Sequence, residues 1–175
     1  MKSSNSTLVK KAEQGDVTAQ CRLADRLMAK DTAASYRSAT KWLQLAADTG
    51  EPWAQYSLGL LYDHGLGTRK NEKMAVKWYE RSAKQGFDSA QLNLGIILAK
   101  RGAKGKGFVR AVQLFRKAAY QGNSDAAFNL GVFYSEGRGV RKSVATALQW
   151  YGKAAMAGDA MAVQAIKKLL LGGAP

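Results

Sequence analysis

Apolar residues recur at spacings of three and four along most of the chain, which is the pattern of amphipathic helices. Two consecutive examples run from Ala54 to Tyr62 and from Ala75 to Ala83. Proline occurs only at the 52nd and the last position, and runs of β-branched residues are scarce, so little interrupts these helices. The pattern predicts an all-α fold.

The helical pattern repeats with a period of 36 residues. Three sets of residues fall in register from copy to copy: Gly50, Gly86, Gly122 and Gly158; Ala54, Ala90, Ala126 and Ala162; and Trp42, Trp78, Leu114 and Trp150. Gly15 and Ala19 lie 35 residues before Gly50 and Ala54, so the first copy is one residue short. Each copy holds two helical segments, and a series of helical hairpins predicts a solenoid.

Glycine has three different places in the repeat. The glycine that ends each copy can take a positive φ as a helix C-cap. Between the two helices come GLGTRKN and GRGVRKS, where glycines end the first helix and Asn71 or Ser143 can cap the second. A further glycine, at Gly59, Gly95 and Gly131, lies inside the first helix, where it costs about 1 kcal/mol relative to alanine. We therefore predict that the two helices of a hairpin approach closely at this glycine.

The chain resembles a known repeat family over roughly residues 12–165. Two copies carry the resemblance most clearly, AQYSLGLLYDHGLGTRKNEKMAVKWYERSAKQG and AAFNLGVFYSEGRGVRKSVATALQWYGKAAMAG. Both are similar to the Sel1-like repeat (SLR), a relative of the tetratricopeptide repeat, which implies a right-handed α-solenoid of about ten helices in antiparallel pairs. The third copy departs from the pattern at KRGAKGKGFVRA, where the glycines are displaced, and we expect a distorted loop there.

We predict a single repeat domain over the whole chain. It comprises an N-terminal half-unit at residues 1–15, repeats at 16–50, 51–86, 87–122 and 123–158, and a C-terminal capping helix at 159–175. The half-units should shield the apolar ends of the stack from association.

The chain is strongly basic, with 27 Lys and Arg against 13 Asp and Glu, a net charge of +14 and a pI near 10.0. Such a charge favours acidic partners, whether protein, nucleic acid or lipid surface. Some cations also recur at the repeat period and form two basic columns: Lys70, Lys106 and Lys142, and Arg81, Lys117 and Lys153. A solvated surface, an acidic protein or the phosphates of a nucleic acid would each account for these columns.

No set of residues supports catalysis or a metal site. The only histidine, His64, follows Asp63, and adjacent residues on a helix do not face each other. Cys21 aligns with Tyr56, Leu92 and Phe128, so we predict a half-buried packing or groove position rather than a nucleophile. The glycine loops lack the GxxxxGK[ST] pattern of a phosphate-binding loop. We predict a protein without enzymatic activity and without a cofactor.

Cellular location is constrained only weakly. The single cysteine cannot form an internal disulfide, so the chain does not need an oxidising compartment. The N-terminal residues lack the apolar core of a signal peptide, and no window is apolar enough to span a membrane. The expectation is a soluble, cytoplasmic, bacterial protein.

The resemblance also implies where a partner would bind. In tetratricopeptide-like repeats the first helix of each hairpin lines the concave face, and the corresponding residues here are Trp53, Tyr56, Leu60, Leu92, Ile96, Phe128 and Val132. Each of these side chains could instead simply pack against a neighbouring helix. We predict a protein–protein interaction module that acts as an adaptor, regulator or inhibitor on a partner held in this groove. The alternative is a nucleic-acid-binding protein that uses the basic columns.

Overall fold

A computed structural model describes residues 2–101 and 105–172, without the side chains of residues 2–5. This part of the chain forms ten α-helices and no strand, which confirms the all-α prediction. The helices are α1 (Lys2–Glu13), α2 (Val17–Met28), α3 (Ala33–Asp48), α4 (Pro52–His64), α5 (Glu72–Lys84), α6 (Asp88–Arg101), α7 (Lys106–Tyr120), α8 (Ser124–Glu136), α9 (Val144–Met156) and α10 (Ala160–Leu171).

Eight of these helices pack as four hairpins, α2 with α3, α4 with α5, α6 with α7 and α8 with α9. We call the first helix of each hairpin helix A and the second helix B. The chain divides into two compact units, an N-terminal unit that ends at Phe87 and a C-terminal unit that begins at Asp88. An α-solenoid of helix pairs is confirmed, whereas the organisation as a single domain stays a prediction.

Successive hairpins are joined by a helix C-cap that is followed at once by the next N-cap. Gly50 has a φ of 101°. Its N–H donates to the carbonyl oxygen of Ala47 at 3.1 Å, and the N–H of Glu51 donates to the carbonyl oxygen of Ala46 at 3.3 Å. This pair of bonds is a Schellman motif. The Glu51 carboxylate then accepts from the N–H of Ala54 at 2.6 Å, which caps α4. The same positive φ and the same two bonds occur at Gly86, Gly122 and Gly158.

The loops inside the hairpins contain residues in the left-handed backbone conformation and side chains that cap the following helix. Gly65 and Gly137 end α4 and α8 with φ angles of 74° and 76°. Asn71 and Ser143 then accept from backbone N–H groups in the first turns of α5 and α9, at 3.1 and 3.2 Å, as predicted. The first copy lacks the glycine loop, and there Asp31 takes the positive φ, 48°.

The third hairpin starts its second helix differently. Residues 102–104 of the loop expected to be distorted lie outside the described residues. Gly105, with a φ of 89°, precedes α7 and provides no side-chain cap, and α7 begins two residues earlier in the repeat than α5 and α9. Lys106 is therefore the first residue of a helix, whereas Lys70 and Lys142 lie in loops. Lys106 therefore differs in local structure from the two lysines that share its repeat position, and the basic column itself stays a prediction.

The glycines inside the A helices face an aromatic ring of helix B. A Cβ atom at Gly95 would lie 2.6 Å from the ring of Phe115, closer than real Cβ contacts. The same pairing joins Gly59 to Tyr79 and Gly131 to Tyr151. The first hairpin instead has Ala24 and Leu43 at these two positions, both buried. The predicted close approach of the two helices is confirmed.

Helix α10 covers the core of the C-terminal unit with only one of its faces. Ala162 is buried in that core, and Ala165, Ile166 and Leu169 pack against it. The outer face keeps four large apolar side chains exposed: Met161, Val163, Leu170 and Leu171. Helix α10 thus packs on the core with its inner face, while its role in shielding the stack from association stays a prediction.

Candidate partner-binding surfaces

The N-terminal unit presents one side of α4 to solvent. Trp53, Tyr56 and Leu60 are spaced by three and four residues, and each is half-buried, whereas the intervening positions are largely buried. The ring of Tyr56 packs against the rings of Tyr79 and Phe87, with centroids 6.0 and 5.1 Å apart. Trp53 packs against the core of this unit. These contacts fix the side chains while part of their surface stays exposed.

The C-terminal unit has a similar face on α8 and a less aromatic one on α6. Phe128 is half-buried, and its ring centroid lies 5.4 Å from that of Tyr151. Val132, one turn further along α8, and Ile96 on α6 are also half-buried and pack against the core. We call the partly exposed sides of α4, α6 and α8 the A-helix faces.

Leu92 does not belong to these faces. It occupies the repeat position of Tyr56 and Phe128, but it is 8% exposed and is part of the core of the C-terminal unit. A leucine side chain is shorter than the rings at the equivalent positions, so it ends within the packed layer. Its inclusion among the groove residues is wrong.

Cys21 shares the same repeat position and is half-buried, as predicted. Its thiol lies 3.8 Å from the Glu51 carboxylate and donates to it. Burial and the negative charge of Glu51 raise the pKa of this thiol from 9.0 to about 11. Because the thiolate is the nucleophile, this environment suppresses reactivity.

We expect Cys21 to react with iodoacetamide near pH 8 about 100-fold more slowly than a cysteine of ordinary pKa, because the shift of its pKa removes thiolate. Glu51→Gln, which keeps an oxygen that can cap α4, should speed the reaction. The rate is measured by mass spectrometry across a pH series. A rate near pH 8 equal to that of an exposed cysteine would contradict the assignment.

The cations of the second basic column lie over aromatic rings in two of three cases. The guanidinium of Arg81 is 4.7 Å from the centre of the Trp78 ring, and the Lys153 ammonium is 4.4 Å from that of Trp150. Lys117 is exposed, and leucine replaces tryptophan at the corresponding position of its helix. Two of these cations are thus held by cation–π contacts.

Sequence reasoning missed a set of glutamines at the hairpin junctions. The side-chain amide of Gln55 donates to the carbonyl of Ala47 at 3.1 Å. Gln85 donates to the Gly50 carbonyl at 2.7 Å and to the Gln55 side chain at 2.9 Å, and Gln121 donates to Gln91 at 3.0 Å. Gln55 and Gln91 are 36 residues apart, as are Gln85 and Gln121, so the repeat period could have revealed them.

Two further features are absent from the described residues. No group of three or more His, Cys, Asp or Glu side chains in that part of the chain could hold a metal ion. None of the helices found there has the length and apolarity needed to cross a membrane. His64 is exposed at the end of α4.

Stacked helical hairpins with inward glycines and exposed A-helix faces define an α-solenoid repeat protein. Four segments, residues 17–50, 54–87, 88–123 and 124–159, match the Sel1 repeat. The matches cover most of the chain, which therefore belongs to the Sel1 repeat family, as its resemblance implied. Proteins of this family are generally protein–protein interaction modules built on a non-catalytic repeat scaffold.

Two similar solved structures are those of bacterial proteins. The chain is 33% identical to c5321, a protective antigen of uropathogenic Escherichia coli with an SLR fold, with a TM-score of 0.83 over 90% of this chain and 34% of that one. It is also 33% identical to a Sel1 repeat protein from Oxalobacter formigenes, with a TM-score of 0.79 over 90% of this chain and 65% of that one.

A more distant structure is that of Helicobacter pylori cysteine rich protein B, at 19% identity and a TM-score of 0.58, over 76% of this chain and 96% of that one. This likeness concerns the fold alone. The chain spans about a third of the length of the Escherichia coli protein and about two thirds of the Oxalobacter formigenes protein. A comparison with curated proteins finds no match.

Proposed function

We propose that the chain is a non-enzymatic adaptor, regulator or inhibitor that binds a protein partner through its A-helix faces. The observation that carries the proposal is the pair of half-exposed aromatic rings at one repeat position, Tyr56 and Phe128, each packed against a second ring. Rigid aromatic side chains that keep exposed surface are the residues that dominate binding energy at protein interfaces. The general role of Sel1 repeat proteins as interaction modules supports the same function.

The partner is expected to be acidic. A net charge of +14 attracts negatively charged surfaces and raises the rate of their encounter with this chain. We also propose that the protein works in the bacterial cytoplasm. The bacterial origin of the similar structures and the single cysteine, which needs no oxidising compartment, are consistent with this location.

The proposal is tested by the double variant Tyr56→Ala with Phe128→Ala. The partner is first co-purified from native lysate with and without nuclease, and its affinity is then measured at low and moderate salt. Loss of both rings is expected to weaken binding by about 2–4 kcal/mol with little change in salt dependence. Circular dichroism checks the fold, and Leu60→Ala probes the same face of α4 if the aromatic variants are destabilised.

The matched control is a variant with Lys70, Lys106 and Lys142 replaced by glutamine. It should bind the partner almost as well as the wild type, because these three cations are exposed and exposed cations contribute little affinity. A loss of binding confined to this lysine variant, together with a steep dependence on salt, would instead indicate phosphate contacts to a nucleic acid. That outcome would overturn the proposal.

A further inference from the structure

A surface groove of about 320 Å³ runs between two B helices of the C-terminal unit, α7 and α9. Arg116 and Tyr120 line it from α7, one turn apart. The remaining lining residues are Tyr134 from α8 and Thr146, Gln149, Trp150 and Lys153 from α9. We call this feature the α7–α9 groove, and it contains none of the residues named above for the A-helix faces.

Two cations of the α7–α9 groove are held in place by aromatic side chains. The ammonium of Lys153 lies 4.4 Å from the centre of the Trp150 ring and 5.3 Å from that of Tyr120. Arg116 donates to the hydroxyl of Tyr134 at 2.7 Å. A guanidinium has five N–H donors, so this bond leaves the group able to bind an anion. The lining residues include no carboxylate, so the groove is suited to a negatively charged group.

The aromatic residues also give the groove an apolar wall. Trp150 is 7% exposed, whereas Tyr120 is 69% exposed and meets the Trp150 ring edge-on at 5.6 Å between centroids. Lys153 also lines a second cavity of about 370 Å³, where Ala119, Ala127 and Met156 provide apolar surface. A cationic region therefore adjoins an apolar one.

The corresponding place in the N-terminal unit, between α3 and α5, has different chemistry. Gln44 and Asp48 occupy the repeat positions of Arg116 and Tyr120, while Trp78 and Arg81 occupy those of Trp150 and Lys153. The amide of Gln44 donates to both carboxylate oxygens of Asp48 at 3.0 Å. The cationic and aromatic lining is thus not a general result of the repeat, since the N-terminal unit places a carboxylate there.

We propose that the α7–α9 groove binds an acidic peptide segment of a protein partner. A glutamate or aspartate carboxylate lies between Arg116 and Lys153, and a neighbouring apolar side chain enters the cavity beside Met156. The alanine and methionine lining of that cavity suits an aliphatic side chain, whereas a nucleic acid would need further cations for its successive phosphates. The site adds to the proposed function but is tested without the partner that binds the A-helix faces.

The probe is a short fluorescein-labelled peptide in which glutamate alternates with leucine, and its binding is followed by fluorescence anisotropy. The double variant Arg116→Gln with Lys153→Gln should weaken binding by about tenfold or more, because it removes both charge-assisted contacts. Tyr120→Ser, at an exposed position, should also weaken binding without affecting the fold. The indole N–H resonance of Trp150 is identified in NMR spectra as the one that is absent from Trp150→Phe. Its chemical shift should change as the peptide is added.

The matched control, Lys77→Gln with Arg81→Gln, removes the same charge from the corresponding face of the N-terminal unit and should change affinity by less than about twofold. Equal weakening by both double variants would show diffuse attraction and overturn the proposal. The proposal would also be overturned if the peptide showed no saturable binding, or if a peptide with glutamine in place of glutamate bound equally well. A single-stranded oligonucleotide that bound more tightly and displaced the peptide would overturn it as well. Loss of partner binding in the Tyr56 and Phe128 variant bears on the A-helix faces alone.

Discussion

Gly95→Ala is expected to lower the free energy of unfolding by about 1–3 kcal/mol, although alanine is normally the better helix former. The added Cβ atom would lie 2.6 Å from the ring of Phe115, and that ring is fully buried. Close-packed interiors leave the ring no space into which to turn, so the two helices of the hairpin must move apart. Urea denaturation of the wild type and the variant measures the loss, and Gly95→Val should lose more.

Gly152 provides the matched control for this substitution. It lies in α9, and a Cβ atom there would meet nothing within 4 Å. Gly152→Ala should therefore raise the free energy of unfolding by about 0.5–1 kcal/mol through helix propensity. The same substitution is expected to have opposite signs at the two sites. If Gly95→Ala also stabilised the protein, close packing would not be the reason for the glycine.

The first hairpin suggests a compensating change. Ala24 and Leu43 occupy the positions of Gly95 and Phe115, so a larger residue on helix A is accommodated there by a smaller one on helix B. Adding Phe115→Leu to Gly95→Ala should recover part of the lost stability. A double-mutant cycle should give a coupling energy of about 0.5–3 kcal/mol. Simple additivity would show that the two side chains do not compete for the same space.

Deleting residues 159–175 is expected to cause self-association. The deletion removes α10, whose Ala162, Ile166 and Leu169 cover the apolar side of the last hairpin. Exposed apolar surface of this kind promotes association, and repeat arrays depend on their terminal elements for solubility. Sedimentation velocity over a range of concentrations measures the effect.

The outer face of α10 supplies the control for this deletion. Met161→Lys with Leu170→Lys replaces two exposed side chains and leaves the inner face intact. This variant should associate no more than the wild type. A truncated protein that stayed monodisperse at high concentration would show that α10 does not protect the core.

The features that recur at the repeat period were predictable, because each copy confirms the others. The junction glycines, the caps at Asn71 and Ser143, and the close-packed Gly95 could all be inferred in this way, since each has a backbone or packing requirement that only a few residue types meet. Such requirements are local, so they do not depend on knowing where neighbouring hairpins lie.

The differences from expectation arose where one copy departs from the others, either in the residue at a position or in the start of a helix. Leu92 shares a position with Tyr56 and Phe128, yet the shorter side chain ends in the core. Lys106 follows displaced glycines, which let the helix begin earlier than in the other copies. Alignment by period assigns one environment to all copies, whereas side-chain size and loop length decide the environment of each one.

The α7–α9 groove was beyond sequence reasoning for a related cause. Its lining residues come from three helices, and Arg116 and Tyr120 have no counterparts of the same chemistry in the N-terminal unit. A feature that occurs once gives no periodic signal. Only the packing of α7 beside α9 brings its two cations and its exposed tyrosine together.

The junctions between hairpins restrict where this chain can change in length. At Gly50 and Glu51, adjacent residues end one helix and start the next, so a single inserted residue would disrupt two caps at once. In the loops inside the hairpins, the residues that end one helix and start the next are not adjacent. These loops are also where the first copy is one residue short and where the third copy has its glycines displaced. Insertions and deletions in descendants of this sequence should therefore accumulate inside hairpins, and foreign segments are best grafted there.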